Sequence, residues 1–377
     1  MKSEYKYITI KDWIVFFAST FLIFLSSVLL VISGAIFYFF HLAKRRPLSV
    51  FALIFSLILL VFVIKWMAVP VSWQAKGDTI SVIIREGDSM SRIVQRLKGV
   101  HLINDGTGLL ILAEILGKDR HIKAGRYDFK KGTTWYSVFN QLVRGNVILK
   151  DVTIPEGSTV KEIAGILKKE IQIDSLEFVK LAANRQFAQS MNLPASSLEG
   201  YLFPETYKLS WGISPEKVVR LMVEQFHKIL SDSLLKRAEE INLSIPDVIT
   251  LASMIEAEAK DGKEREIISA VFHNRLKRGM LLQCCPTVLY ELPETHFPLM
   301  LEDLEVDSPY NTYKYPGLPP GPICNPGKAS IQAALYPAEV DYLYFVAKGD
   351  GTHVFSVTLE EHNRAKNKIK NAQKNQT

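Results

Sequence analysis

The first 70 residues are the most hydrophobic part of the chain. The stretch from Trp13 to Leu42 contains no Asp, Glu, Lys or Arg, and a second apolar run covers residues 48–64. A membrane-spanning helix needs about 20 apolar residues, so the pattern predicts a membrane anchor at 1–70 with two spans, 13–42 and 48–64. The basic segment 44–46 between them would stay in the cytoplasm. This orientation places both the N-terminus and everything after Pro70 outside.

Two alternatives compete with this topology. The first run resembles a cleaved signal peptide in its hydrophobicity, but it is too long, and the following run would then stop transfer and hold the large domain inside. The two runs are also compatible with a buried helical hairpin of a soluble protein. The two-span anchor is the interpretation we favour.

Two later segments repeat one polar and apolar pattern at an offset of 70 residues. The sequence VIIREG at 82–87 precedes a helical pattern, and so does VTIPEG at 152–157. Each segment predicts a short strand, a glycine turn and a helix, with Ser89 and Ser158 as the helix caps. A strand, a turn containing Glu-Gly and a helix resemble LysM-type modules, which bind N-acetylglucosamine polymers. We therefore expect a LysM-like subdomain at 80–150.

The rest of the chain mixes helices and strands, which predicts an α+β catalytic domain at 151–365 and a frayed polar tail at 366–377. Ser244 begins the helix of greatest interest, with Asp247 as its capping-box partner. The other predicted elements surround a loop-rich segment at 281–328; they are helices at 263–278 and 329–336 and strands at 341–347 and 353–358.

Composition narrows the choice of partners. The formal net charge is +6 over 377 residues, and the chain has no long basic run interleaved with aromatic residues, so a nucleic acid is not the favoured partner. A mild basic bias suits an anionic polymer or a membrane surface. The three cysteines, Cys284, Cys285 and Cys324, form neither a disulfide framework nor a zinc pattern. They are free thiols or, alternatively, Cys324 bridges to one of the pair.

The segment LASMIEAEAK at 251–260 places a carboxylate on a helix face that is otherwise apolar. At helical spacing, Glu256 falls inside an apolar stripe and Glu258 falls away from it; the stripe comprises Val248, Ile249, Ala252, Ile255 and Ala259. A buried carboxyl loses solvation of its charged form, which helps it to hold and donate a proton. The structural alternative is a surface glutamate that pairs with Lys260.

Ordinary glycosidases use two carboxyl groups, and the sequence shows no obvious second one beside Glu256. Glu199 and Glu205 can approach only if the loop at 196–209 folds towards the helix. A single acid is sufficient when a sugar hydroxyl attacks its own anomeric carbon, because no water needs to be activated. The same carboxyl then protonates the leaving oxygen and takes the proton of the attacking hydroxyl.

The surrounding segments are rich in residue types that bind sugars. Tyrosines offer flat faces with a polar edge, and amide side chains offer directed hydrogen bonds. About half of the tyrosines are expected to serve packing instead. The candidate substrate-binding residues are Glu199, Tyr201, Glu205, Tyr207, Asn274, Gln283, Tyr310, Asn311, Tyr313 and Asn325.

Seven ordered blocks give the chain a specific resemblance. They are LEGYLFPETY (198–207), ASMIEAE (252–258), VFHNRLKRGMLLQ (271–283), PTVLY (286–290), DSPYNTY (307–313), GLPPGPICNPG (317–327) and YLYFVAKGDGTHVFS (342–356). Together they resemble the endolytic murein transglycosylase, or YceG-like, family over residues 80–365. The family's catalytic glutamate falls on Glu256, in agreement with the stripe.

The resemblance implies an anchored lyase of the bacterial inner (cytoplasmic) membrane, with its catalytic domain on the extracytoplasmic, periplasmic side. It implies internal cleavage of nascent peptidoglycan strands between MurNAc and GlcNAc, which leaves 1,6-anhydro-MurNAc ends and terminates elongation. No metal or cofactor is implied, and penicillin-binding-protein synthases are the expected protein partners.

Two departures from the family pattern are visible. Cys284-Cys285 stands where the family usually has Ser or Thr followed by Asp, and two predicted spans replace the usual one. The first departure motivates an alternative function, a non-catalytic peptidoglycan-binding scaffold for cell-wall synthases. A metal hydrolase built on Glu256, Glu258 and His273 is a weaker alternative, because the two glutamates diverge around the helix.

Overall fold

The computed structural model describes residues 47–68, 78–118, 122–292 and 299–374, with isolated positions between 26 and 44. The predicted span at 13–42 lies outside the described residues apart from those isolated positions. The chain forms two compact units, Met1–Trp73 with Thr133–Ser137, and Gln74–Gly132 with Val138–Thr377.

The first unit contains helix α1 (Pro47–Ala68), which covers the second predicted span. Its segment Pro47–Lys65 has a mean hydropathy of 2.9, and among the described residues it is the one helix long and apolar enough to cross a membrane. Side chains from Phe51 to Lys65 are exposed. A helix that is apolar on all sides can face lipid, so the second apolar run is compatible with the predicted anchor.

The second unit holds the remaining elements, apart from the start of α4. Its strands are β1 (Thr79–Ile84), β2 (Gly125–Lys130), β3 (Leu149–Thr153), β4 (Thr206–Ser210), β5 (Tyr344–Ala347) and β6 (His353–Ser356). Its helices are α2 (Met90–Gly99), α3 (Thr107–Ile115), α4 (Trp135–Arg144), α5 (Val160–Ile171), α6 (Ser175–Ala182), α7 (Arg185–Ser190), α8 (Pro215–Ile229), α9 (Asp232–Glu240), α10 (Ile245–Glu258), α11 (Arg265–Lys277), α12 (Cys285–Leu289), α13 (Lys328–Leu335) and α14 (Leu359–Lys374).

The N-terminal part of this unit runs in the order β1, α2, α3, β2. Strands β1 and β2 pair antiparallel, with Thr79 opposite Lys130 and Ile84 opposite Gly125. The apolar stripe of α2 is buried, and so are Tyr127 and Phe129 of β2. Each pairing strand thus contributes one face to a small core shared with the helices.

Strand β3 begins the larger part and pairs antiparallel with β4, while β5 pairs antiparallel with β6. Helix α10 is the centre of the hydrophobic core, because every residue from Val248 to Ile255 is buried. It packs against α11, α12 and α13. Antiparallel strand pairs beside a helical core confirm the predicted α+β class.

The helix caps follow the sequence signals in two of three cases. The Ser89 side chain accepts from the Arg92 N–H, and Ser244 forms the predicted capping box with Asp247. The prediction for Ser158 is wrong, since Thr159 caps α5 in a capping box with Glu162. Ser158 instead donates its hydroxyl to the Pro155 carbonyl inside the turn.

The polar tail also differs from its prediction. Helix α14 continues to Lys374, whereas fraying was expected from residue 366. Acidic residues in its first turn favour a helix, and Glu361 accepts from the Val357 and Thr358 N–H groups. The Arg364 side chain donates to Glu360 one turn away.

Candidate active site

Glu256 lies near the C-terminal end of α10, directly after the eight buried residues of the helix. Its side chain is 7% exposed. Because the helix is enclosed by α11, α12 and α13, the position of this carboxyl is fixed by the hydrophobic core. The predicted burial of Glu256 is confirmed.

Both oxygens of Glu256 accept hydrogen bonds. Arg265 donates from Nη2 to Oε1 at 3.2 Å, and the Gly327 N–H donates to Oε2 at 2.9 Å. Arg265 is the first residue of α11, which a short 3₁₀ turn at Gly262–Glu264 joins to α10. This tight connection brings Arg265 back over the end of α10. The cationic partner of Glu256 is therefore Arg265, rather than the Lys260 of the surface-helix alternative.

A second carboxyl, which the sequence did not single out, lies beside this pair. Glu156 Oε2 is 3.8 Å from Arg265 Nη2, the same nitrogen that contacts Glu256. The Glu156 carboxyl occupies space that a side chain at Gly327 would need, since an added Cβ there would lie 2.0 Å from Oε1. Glu156 and Glu256 thus flank one guanidinium and one glycine.

A pair of backbone hydrogen bonds holds Glu156 in this position. The Gly157 N–H donates to the Asn325 carbonyl at 2.9 Å, and the Asn325 N–H donates to the Ser158 carbonyl at 3.0 Å. The turn between β3 and α5 is thereby joined to the loop that carries Gly327. Glu156 belongs to the second of the two Glu-Gly turns found in the sequence.

Two cavities open beside the ion pair of Glu156 and Arg265. One has a volume of about 480 Å³ and is lined by Glu156, Ser158, Glu162 and neighbouring residues. The other has a volume of about 310 Å³ and is lined by Arg265, Glu266, Gln332, Tyr336 and neighbouring residues. Glu156 and Arg265 are in contact, so each cavity is lined by one member of this ion pair.

Burial and charge change the ionisation of several groups here. Burial raises the pKa of Glu156, as does the nearby charge of Glu256, while Arg265 lowers it. Burial also raises the pKa of Glu258, which accepts a hydrogen bond from the Cys284 thiol. Glu258 therefore faces the cysteine pair, and its side chain diverges from Glu256 as expected from the helical spacing.

The cysteines are all free thiols, which excludes the disulfide alternative. Cys285 Sγ lies 3.1 Å from the Tyr313 hydroxyl. His273, part of the metal-hydrolase alternative, contacts the Ala334 carbonyl. Within the described part of the chain, no group of three or more His, Cys, Asp or Glu side chains is placed to hold a metal ion.

Four of the candidate substrate-binding residues are buried: Glu199, Tyr201, Asn311 and Asn325. Asn325 donates to Ser158 O and Glu199 Oε1 and accepts from the Leu202 N–H. Asn311 donates to two loop carbonyls, and Tyr201 packs edge-on against Phe226. These four side chains point into the protein interior. Their burial favours a role in stabilising loops over direct contact with a glycan.

The other candidates are more accessible. Glu205 and Gln283 are exposed, and the rest are half-buried. Asn274 donates to the Val340 and Tyr342 carbonyls, and Tyr207 donates to the Phe203 carbonyl. Tyr310 packs against Tyr290. Substrate contact by any of the candidates stays a prediction.

Residue types alone did not reveal Glu156, Arg265 or Gly327 as parts of the site. The available signal was the Glu-Gly turn, which the sequence repeats at 86–87 and 156–157. The first copy places Glu86 against Lys217, and the second places Glu156 against Arg265. The local pattern is the same in both, so it does not distinguish a structural ion pair from a site.

A semi-buried carboxyl held by a guanidinium and a backbone N–H, beside open cavities in an α+β domain, defines a candidate acid–base site. Comparison with known proteins identifies the family. The YceG-like family model matches residues 82–368, and the chain therefore belongs to the YceG-like family.

Individual relatives cover most of the chain. The endolytic murein transglycosylase of Bacillus subtilis is 35% identical over 323 residues, which span 81% of this chain and 88% of that protein. The enzyme of the same name from Streptococcus pneumoniae serotype 2 is 29% identical over 76% of this chain and 57% of its own length. A YceG-like protein from Listeria monocytogenes has a crystal structure with a TM-score of 0.54 and 34% identity, covering 76% of this chain and 98% of that one.

Proposed function

We propose that this chain is an endolytic peptidoglycan lytic transglycosylase. The observation that carries the proposal is the Glu256 carboxyl, which is 7% exposed and held by Arg265 and the Gly327 N–H; Arg265 and its neighbour Glu156 line two cavities. Relatives named endolytic murein transglycosylase support the substrate class. The bond to be cleaved joins MurNAc to GlcNAc in a glycan strand.

The chemistry needs one proton to move twice. Protonated Glu256 gives its proton to the glycosidic oxygen as the bond from that oxygen to the MurNAc anomeric carbon breaks. The C6 hydroxyl oxygen of the same MurNAc then bonds to the anomeric carbon and returns a proton to Glu256. The products are a GlcNAc hydroxyl and a 1,6-anhydro-MurNAc end, and no water is consumed.

Internal cleavage requires a strand that continues past the acid in both directions, and the two cavities that border the Glu156–Arg265 pair offer room for it. The cavity beside Glu156 would take one side of the strand, and the cavity with Gln332 and Tyr336 would take the other. An exposed aromatic ring such as that of Tyr336 offers a stacking surface to a sugar.

The finer features of the function follow from the sequence and are part of the proposal. Helix α1 would anchor the chain in the cytoplasmic membrane, with the second unit extracytoplasmic. The β1–α2–α3–β2 region would act as the LysM-like glycan-binding subdomain. Cleavage of nascent strands beside penicillin-binding-protein synthases would terminate their elongation.

The test is digestion of purified glycan strands by the full chain in detergent, with products analysed by mass spectrometry. Anhydro ends that disappear with Glu256→Gln are expected, since the amide cannot supply the proton. Products with reducing ends would show a hydrolase. Strand binding without fragment release would favour the non-catalytic scaffold.

A further inference from the structure

Arg265 has one guanidinium and two acidic neighbours. Its Nε donates to Ser330 Oγ at 3.0 Å, while its Nη2 lies 3.2 Å from Glu256 Oε1 and 3.8 Å from Glu156 Oε2. The Ser330 contact holds one edge of the guanidinium. Nη2 therefore lies within 3.8 Å of both carboxyls and can pair with either.

Glu256 has a donor on each oxygen, and this arrangement suits a carboxylate. An acid that delivers a proton must first hold it on one oxygen. Each oxygen has two lone pairs, so the proton need not displace an N–H donor, but a guanidinium in contact with the carboxyl favours the charged form and opposes protonation. The Gly327 N–H is fixed by the backbone. Arg265 is carried by a flexible side chain, so Oε1 is the oxygen that can be released to hold the proton.

Glu156 lies where it can pair with Arg265 while Glu256 is protonated. Its turn is tied to the Gly327 loop by two backbone hydrogen bonds, and its side chain is 49% exposed, so its charged form keeps contact with water. The charge of Glu256 raises the pKa of Glu156. Since Coulomb interaction is mutual, a neutral Glu256 favours a charged Glu156.

We propose that Glu156 is a positioning residue that takes over Arg265 while Glu256 carries its proton, and so keeps the acid ready for the glycosidic oxygen. This inference rests on the proposed function. Once Glu256 has given up the proton, Arg265 returns to it and stabilises the carboxylate. The return of the C6 hydroxyl proton to Glu256 then resets the pair.

Other ionisable groups around the acid are compatible with this assignment. The buried thiol of Cys324 lies close enough for the charge of Glu256 to raise its pKa, after burial as the main cause, and Glu199 and Glu162 act on the same thiol. The carboxyls of Glu199 and Glu162 and the thiol of Cys324 carry negative or no charge, so none of them competes with Arg265 as a cation for Glu256. Arg265 is the cation in contact with Glu256, which makes the sharing of Arg265 the step that decides where the proton rests.

The experiment measures glycan-strand cleavage by the full chain in detergent as a function of pH. Glu156→Gln is expected to lower kcat about 10- to 100-fold, at or below the lower end of the roughly 100- to 10,000-fold contribution of a direct acid–base group, because Glu156 acts through Arg265; KM should be nearly unchanged. The alkaline limb of the curve of kcat against pH should move to lower pH, because without the Glu156 carboxylate Arg265 stays on Glu256 and favours its ionised form. Glu156→Asp should restore part of the rate, and Glu224→Gln, an exposed charge-matched control on α8, should behave as wild type.

A double-mutant cycle tests the role of Arg265 directly. If Glu156 acts by drawing Arg265 away, Glu156→Gln should have little further effect on kcat in an Arg265→Gln background. Additive losses would overturn the proposal, and so would a raised KM with an unchanged pH profile, which would make Glu156 a direct substrate ligand. A fall in melting temperature that accounts for the lost activity would make its role structural.

A readout without substrate separates this proposal from the proposed function. The ionisation of Glu256 can be followed by carbon NMR of labelled glutamate in the wild type and in Glu156→Gln. A transition of Glu256 at lower pH in the variant is expected even if the wild type cleaves no glycan. Identical titrations would refute the coupling, while inactivity of the wild type would refute only the function.

Discussion

Gly327 lies between the two carboxyls of the site, and its missing side chain leaves the space in which Glu156 rests. An added Cβ would lie 2.0 Å from Glu156 Oε1 and 2.1 Å from its Cδ, far inside van der Waals contact. The backbone at Gly327 has φ −75° and ψ 168°, which any L-residue adopts. Gly327→Ala therefore acts on Glu156 by steric contact, without backbone strain.

The expected effects on stability and on rate differ in size. Glu156 is half-exposed, so its displacement from Arg265 should cost about 1 kcal/mol or less. The unit that holds this site has about 300 residues, so that cost corresponds to a melting-temperature change of roughly 2 °C or less. A misplaced group at a catalytic site can lower the rate about 100-fold, and we expect a kcat loss of about 10- to 100-fold.

Glycan-strand cleavage and thermal unfolding in detergent, followed by tryptophan fluorescence, measure the two effects on the same preparation. Gly165→Ala is the matched control, because an added Cβ in α5 would meet nothing within 4 Å. Removing glycine from the interior of a helix should stabilise the chain by about 0.5–1 kcal/mol and leave the cleavage rate unchanged.

The double variant Gly327→Ala with Glu156→Ala tests the cause. If the clash with Glu156 is responsible, Gly327→Ala should lower kcat no further once the Glu156 carboxyl is gone. Full activity of Gly327→Ala alone would refute the view that the position of Glu156 matters. A melting-temperature loss well above about 2 °C would show that the backbone of the Gly327 loop had moved instead.

Three further predictions concern groups away from the reacting centre. Burial raises the pKa of Glu199 from 4.5 to about 7. Between these two values the folded chain holds a proton that the unfolded chain has lost, so the free energy of unfolding falls as pH rises. Glu199→Gln should remove about 3 kcal/mol of this pH dependence, which would appear as a flatter curve of melting temperature against pH. Asn325→Ala breaks three buried hydrogen bonds and should lower the free energy of unfolding by about 3 kcal/mol, whereas the exposed control Asn367→Ala should leave it nearly unchanged. Equal melting temperatures of the two variants would contradict the role of Asn325 in holding these segments together. Burial raises the pKa of Cys285 and keeps its side chain a thiol. Iodoacetamide should therefore label the cysteines slowly in the folded chain and fully after unfolding. Fast labelling of the folded chain would contradict the burial of these side chains.

Local signals in the sequence were sufficient for the central helix. The capping box of Ser244 and Asp247 depends on residues within one helix and is confirmed. The predicted apolar stripe is buried as expected, but the helix is buried on its other faces as well, since every residue from Val248 to Ile255 is buried. The Ser158 cap was wrong because Ser158 and Thr159 are both good capping residues. The choice between them depends on where the turn ends, which tertiary contacts decide.

The partners of Glu256 were beyond sequence analysis for a different reason. Glu156, Arg265 and Gly327 come from three separate segments, and no periodicity relates their positions. The amide candidates illustrate the same limit, since an amide side chain binds a sugar or a loop carbonyl with the same groups. Burial decides between these roles, and for Asn311 and Asn325 it favours the loop.

The site combines a fixed acid with a movable cation. Glu256 cannot shift without disturbing the buried residues of α10, and the Gly327 N–H that binds it belongs to a loop tied to the Glu156 turn. Arg265 is held at one nitrogen by Ser330 and reaches either carboxyl with another. Acid catalysis needs a carboxyl that alternates between neutral and charged forms in one place. A carboxyl in a fixed position, next to an arginine that can pair with either of two carboxylates, meets that need. When the charge of Glu256 changes, Arg265 moves and the Glu256 carboxyl stays where the substrate requires it.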